Sequence, residues 1–156
     1  MNAMNEHDYL YVAHSYALKA SGCKKVQVGS VICNSTGEVV SFGANRTYPV
    51  KCTEAGCLRE QLYGDNSKVH RNPGDCRAIH SEIDAIARAS APIHDGTIYV
   101  TRYPCESCAR AIVSAGIKTV YYGRKQEISE ETKRIFESAD IEVIHVSDWI
   151  RADTIK

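Results

Sequence analysis

Residues 80–108 read HSEIDAIARASAPIHDGTIYVTRYPCESC. Ile79, Ile83, Ile86 and Ala87 recur at helical spacing and predict a helix over about 78–91. Thr97 to Thr101 (TIYVT) reads as a strand. Ala109, Ile112 and Val113 mark a second helix over about 105–115, closed by Gly116. Two short motifs sit at the starts of these helices: His80-Ser81-Glu82 and Pro104-Cys105-Glu106-Ser107-Cys108.

The flanks extend the alternation. Tyr9, Val12, Ala13, Tyr16 and Ala17 predict an amphipathic helix over 5–21. Val26 to Asn34, the turn Ser35-Thr36-Gly37, and Glu38 to Ala44 read as an antiparallel hairpin. Downstream, Lys118 to Tyr122 is a strand, Ser129 caps a helix reaching about 139, and Ile141 to Val146 is a last strand. The order α-β-β-α-β-α-β-α-β implies an α/β fold: a three-layer α/β/α arrangement with a mixed sheet of about five strands and helices on both faces. The crossovers after the second helix should be parallel and right-handed. Residues 45–75 show no clean periodicity. A structureless segment of that length is uncommon in a compact domain unless it is functional.

A chain of 156 residues has room for one domain spanning 1–156. Lys plus Arg and Asp plus Glu both number 19, so the net charge is zero. That argues against a grip on long nucleic acid, which needs clustered positive charge. It leaves open a local pocket for one nucleotide. The longest apolar runs fall far below the roughly 18 residues of a membrane span, so no membrane partner is expected. The N-terminal MNAMNEHD is polar and unlike a secretory leader. These features predict a cytoplasmic protein with reduced thiols. Its seven cysteines then point to metal or catalysis rather than cross-links.

Cys105 and Cys108 lie three apart at a helix start, so both side chains share one face. The helix dipole there favours thiolates, the form that binds metal. With His80 at the start of the preceding helix they supply one imidazole and two thiolates. That is a catalytic zinc set with a fourth position open for water. Zinc lowers the pKa of bound water toward roughly 7. Glu82 is too close to His80 to be an easy fourth ligand, and is better placed to take the water's proton and pass it to a leaving amine. A purely structural zinc would normally recruit a fourth protein ligand and gives Glu82 no role.

H-x-E followed by P-C-x-x-C resembles the signature of the zinc nucleobase deaminases. The cysteine-rich segments sharpen the likeness: Cys23-Lys24-Lys25-Val26-Gln27-Val28-Gly29, Cys52-Thr53-Glu54-Ala55-Gly56-Cys57, and Cys76-Arg77-Ala78-Ile79-His80. The chain is similar to the deoxycytidylate (dCMP) deaminase family, in the branch with a cysteine-rich insertion, here about 46–76. The resemblance implies a cytidine-deaminase-like fold, a catalytic Zn2+, and conversion of dCMP to dUMP and ammonia. It also implies a homo-oligomer acting on a small-molecule nucleotide. Some members carry a second, structural zinc. Cys23, Cys52, Cys57 and Cys76 could form that site, with His70 as a competing ligand; buried apolar thiols are the plainer alternative. Cys33, within the first hairpin strand, reads as core.

The resemblance further implies that Asn45 holds the sugar and that the backbone of Ser81 and residues around Tyr103 line the base. Tyr103 could equally be wall packing. Gly43-Ala44-Asn45-Arg46-Thr47-Tyr48-Pro49 departs from the family's Gly-Tyr-Asn-Gly-x-Pro, a stretch associated with control by nucleoside triphosphates. Arg46 is a candidate phosphate ligand, since guanidinium suits phosphate, or a solvated loop arginine. Asp84 near the pocket would repel phosphate unless neutralised. The tRNA adenosine deaminases share the core motif and a similar Gly-x-Asn-Arg. Zero net charge, the mixed-charge stretch Ser147 to Lys156 and the cysteine insertion argue against them. A noncatalytic zinc-stapled nucleotide-binding module differs from an enzyme at Glu82, whose loss would then be silent.

Overall fold

The computed structural model describes residues 3–69, 72–125 and 128–150. Helix α1 (Glu6–Ala20) begins at a capping box. The Asn5 side chain accepts from the Asp8 amide, and the Asp8 carboxylate accepts from the Asn5 amide, each at 3.0 Å. Strands β1 (Gly29–Cys33) and β2 (Val39–Ala44) form the expected antiparallel hairpin, with an irregularity between Ile32 and Cys33.

Strand β1 is shorter than its apolar run. The Asn45 side chain takes the backbone at its start, accepting from the Val28 amide at 3.0 Å and donating to the Val26 carbonyl at 2.9 Å. Those groups are thereby lost to the sheet ladder.

Strands β3 (Thr97–Arg102), β4 (Thr119–Arg124) and β5 (Glu142–His145) complete a sheet of order β2-β1-β3-β4-β5. Strand β1 is antiparallel to β2 and β3, while β3, β4 and β5 run parallel. The mixed five-stranded sheet expected from the sequence is present.

Period-two alternation divides the core. Ile32, Ile98, Val100 and Val120 face one layer, packed with Ala85 of α4 (Ser81–Ala87), Ala109 and Ile112 of α5 (Glu106–Ser114), and Phe136 of α6 (Glu130–Ser138). Val31 and Cys33 face the other, against Ala13 of α1. There Tyr9, Tyr99 and Tyr121 stack with ring centroids 4.5 and 5.0 Å apart. Leu10, Val146 and Trp149 close the layer. Helices therefore lie on both faces, and Cys33 is core as expected.

The segment expected to lack periodic structure is instead built of short pieces. These are α2 (Cys52–Ala55), α3 (Leu58–Tyr63) and single 3₁₀ turns at Gly64–Asn66 and Pro73–Asp75. Polar links to residues distant in sequence hold them. The Thr53 amide donates to the Gly22 carbonyl at 3.2 Å. Arg77 Nη1 donates to the Gly56 carbonyl at 3.2 Å, and Lys25 pairs with Glu60 at 2.6 Å. Among the described residues, no helix is long and apolar enough to cross a membrane.

Candidate active site

Helix α4 starts later than its apolar spacing suggests. Residues 46–48 and 77–79 run antiparallel instead, with the Ile79 amide donating to the Arg46 carbonyl at 2.8 Å and the Tyr48 amide to the Arg77 carbonyl at 2.9 Å. This bridge leaves His80 as the N-cap of α4 in an extended conformation (φ −71°, ψ 148°). Cys105 caps α5 in the same way (φ −77°, ψ 173°), just past the end of β3. The two caps face each other.

His80 Nδ1 lies 3.4 Å from Cys105 Sγ and 3.3 Å from Cys108 Sγ. The three ligand atoms all fall within 4.8 Å of one another. A tetrahedral zinc, with bonds of about 2.0 Å to nitrogen and 2.3 Å to sulfur, sets such atoms roughly 3.6 Å apart. The donor set therefore fits that ion. Burial is graded across it: Cys108 is fully buried, Cys105 half-buried and His80 exposed.

The electrostatics favour a thiolate at Cys105. A hydrogen bond from Cys108, reinforced by His80, carries Cys105 down to about 3. Cys108, the donor in that pair, is held well above the usual thiol range. The Cys105 thiolate beside it raises His80. Glu82 is buried one residue further along α4 than Ser81, and burial pushes its carboxyl above the ordinary carboxylate range. The Ser81 hydroxyl opposes that shift by donating to Glu82 Oε1 at 2.8 Å.

The remaining expected residues are placed as follows. The Asn45 amide is committed to the backbone at residues 26 and 28. Arg46 is half-buried and paired: its Nε donates to Asp84 Oδ2 at 3.0 Å, its Nη2 donates to the Tyr16 hydroxyl, and its guanidinium lies over the Tyr16 ring. Asp84 is buried and also accepts from Arg88 Nε at 2.9 Å and from the Ala44 amide at 3.0 Å. The neutralisation that a carboxylate near the pocket requires is thus present. Tyr103 is 4% exposed and meets Tyr122 and Phe136 edge-on, an arrangement of wall packing. Ser81 is fully buried.

Among the described residues, His80, Cys105 and Cys108 are the only group of three or more metal-ligating side chains whose ligand atoms converge. Cys23, Cys52, Cys57 and Cys76 lie on adjoining segments without converging to that degree, and His70 lies outside the described residues. Sequence reasoning missed Ser30, whose hydroxyl is 2.7 Å from that of Ser81. Its only signal was a polar residue inside an apolar strand.

The family model for the MafB19-like deaminases matches residues 4–152. The chain belongs to this deaminase family. The curated relatives of this deaminase include ComE operon protein 2 of Bacillus subtilis, 32% identical over 143 residues, covering 88% of this chain and 69% of that one. The deoxycytidylate deaminase of Mus musculus is 34% identical over 108 residues, covering 68% of this chain and 58% of that one. That of Enterobacteria phage T2 is 30% identical over 121 residues. The deaminase chain thus spans little more than half the length of these two deoxycytidylate deaminases. Among crystal structures, the dCMP deaminase of cyanophage S-TIM5, in complex with dCMP and dUMP, superposes with a TM-score of 0.71. It covers 94% of this chain and 99% of that one at 24% identity, a likeness of fold. The cytidine-deaminase-like architecture and the resemblance to the dCMP deaminases, both drawn from sequence, are borne out.

Proposed function

We propose that the protein is a zinc-dependent hydrolase that converts dCMP to dUMP and ammonia. The observation that carries this reading is the buried Glu82 carboxylate beside the converging His80, Cys105 and Cys108. The relatives named deoxycytidylate deaminase support the choice of substrate.

His80, Cys105 and Cys108 would hold the zinc ion. When bound, zinc supplies Lewis acidity that makes a water nucleophilic near neutral pH. Glu82 accepts a proton from the water as it adds to C4 of the pyrimidine. It passes that proton to N3, then takes the proton of the new C4 hydroxyl and delivers it to the exocyclic nitrogen, which leaves as ammonia as the C4 carbonyl forms. Burial suits Glu82 to both steps, because a raised pKa makes its carboxylate a stronger base toward the water's proton and brings the proton-holding form closer to the working pH. The family resemblance assigns the sugar to the neighbourhood of Asn45 and the base to the Ser81 backbone; the Asn45 side chain would act there by shaping the backbone at residues 26–28. Arg46, aimed by Asp84, faces the phosphate side with the guanidinium edge that Asp84 and Tyr16 leave over.

A second, structural zinc on Cys23, Cys52, Cys57 and Cys76 belongs to the same reading. Lys25, whose pKa is raised chiefly by its bond to Glu60, also feels both Cys23 and Cys57, and this shared neighbour supports the two thiols as members of one site.

The test is ammonia release on dCMP, CMP, deoxycytidine, dCTP and an adenosine-containing anticodon stem-loop. Preference for dCMP over deoxycytidine is expected. Activity confined to the stem-loop would overturn the substrate. Tight nucleotide binding without turnover, unchanged in Glu82→Ala, would replace the enzyme with a binding module.

A further inference from the structure

Three buried polar side chains run in line beneath the site. Ser30, in β1, and Ser81, at the start of α4, are both fully buried, and Glu82 is 4% exposed. The Ser81 hydroxyl donates to Glu82 Oε1 at 2.8 Å. The Ser30 and Ser81 hydroxyl oxygens are 2.7 Å apart. A serine hydroxyl has one proton. Ser81 has spent its proton on Glu82, so the proton between the two serines belongs to Ser30. The direction of the chain is therefore set: Ser30 donates to Ser81, and Ser81 donates to Glu82.

The sheet makes Ser30 a firm anchor. It sits near the start of β1, held between two neighbouring strands, paired with Gly43 on one side and Val100 on the other. Ser81 lies on the first turn of α4 and could rotate its hydroxyl toward a backbone carbonyl, as serines near helix starts do. A donor at 2.7 Å on its oxygen disfavours that rotation, and hydrogen bonds in series strengthen one another where water is absent.

We propose that Ser30 is a positioning residue for Glu82, acting through Ser81. The relay fixes one carboxylate oxygen, so that the carboxylate plane is set before substrate arrives and the proton travels along one geometry. The inference rests on the proposed role of Glu82 in deamination.

The test is a double-mutant cycle on the zinc-loaded protein with Ser30→Ala, Ser81→Ala and the double variant. Rates are taken per mole of folded protein, with dCMP as substrate. Ser81→Ala should lower kcat about 10-fold with KM little changed, the order seen when a supporting hydrogen bond to a catalytic group is lost. Ser30→Ala should lower kcat by less, about 3-fold. The double variant should be no worse than Ser81→Ala, because Ser30 has nothing left to act through.

A second readout needs no turnover. The antisymmetric carboxylate stretch of Glu82, isolated as the infrared difference between wild type and Glu82→Gln, should move to higher frequency in Ser81→Ala and by a smaller step in Ser30→Ala. Losses that multiply in the double variant, a change confined to KM, or a stretch unmoved by Ser30→Ala would each overturn the relay. If wild type turns over no nucleotide, the reading of the reaction fails, and the infrared comparison still decides whether Ser30 orients Glu82.

Discussion

Gly43 of β2 lies directly beneath the carbonyl oxygen of Ser81. A Cβ placed on Gly43 would stand 2.1 Å from that oxygen and 2.5 Å from the Ala85 amide nitrogen. Backbone thus meets backbone where the sheet supports the first turn of α4, the turn that follows His80 and carries Glu82. Neither neighbour is a flexible side chain that could move aside.

Gly43→Ala should therefore push α4 off the sheet by about an ångström, and a shift of that size can cost roughly 100-fold in rate. Zinc affinity should fall with it, since His80 moves against Cys105 and Cys108, which are anchored on α5. Competition with a metal-sensitive dye measures the affinity. A variant that binds zinc as tightly as wild type would contradict the account of this contact.

Glu82 should show the tension between stability and activity. Burial raises its pKa in the folded protein above the unfolded value of about 4.3. The stability this carboxyl contributes is therefore fully present below that value and is lost as pH rises through the folded pKa. Above the folded pKa the ionised, buried carboxylate is a cost. Glu82→Gln should abolish turnover yet raise the melting temperature of the metal-free protein, by about 2–4 °C for each kcal/mol recovered. Wild-type kcat/KM should lose activity on its acid side at a pH above that of an ordinary carboxylate. A lower melting temperature for Glu82→Gln would show that burial is not what dominates its environment.

The parts of the fold that were legible in sequence are those written in local pattern. His80, Cys105 and Cys108 could be grouped because each sits at a helix start, and the helices and strands between them follow spacing. The segment at 45–75 was not legible, because helices of four and six residues, Cys52–Ala55 and Leu58–Tyr63, are too short to display a period. Their order comes from distant partners such as the Gly22 carbonyl and Glu60's lysines. Arg46 was illegible for the same reason: its partner Asp84 is 38 residues away. Ser30 was hidden by its strand, where a single serine among apolar residues looks like a tolerated exception.

Asp84 joins two arginines that would otherwise repel. It is 4% exposed and takes donors from Arg46, Arg88 and the Ala44 amide. Asp84→Asn removes the charge that holds both guanidinium groups and turns one acceptor into a donor facing them. The cost should be about 1–3 kcal/mol, set by the buried contacts to Ala44 and Arg46, because Arg88 is too exposed to add much. Urea unfolding measures it. KM for dCMP should change more than kcat if Arg46 serves the phosphate. An unchanged KM ratio between dCMP and deoxycytidine would remove Arg46 from that role.

Metal should be coupled to folding in the insertion. Chelation ought to loosen residues 46–76 first, because α2 and α3 bury little apolar surface of their own: Cys52 is the sole buried residue in α2, and α3 has none. Hydrogen exchange after chelation should therefore accelerate in that segment well before β1, whose five residues are all buried. Loss of the catalytic ion alone would act on it only through the 46–48 to 77–79 bridge next to His80. The two sources separate in variants. If a second zinc is bound, wild type carries two ions per chain, and Cys52→Ser and Cys57→Ser each carry one, with fast exchange at 46–76 and a retained ion at His80. One zinc per chain in wild type, with both variants as stable as wild type, would mean that the insertion is held by its hydrogen bonds and the Glu60 ion pairs alone.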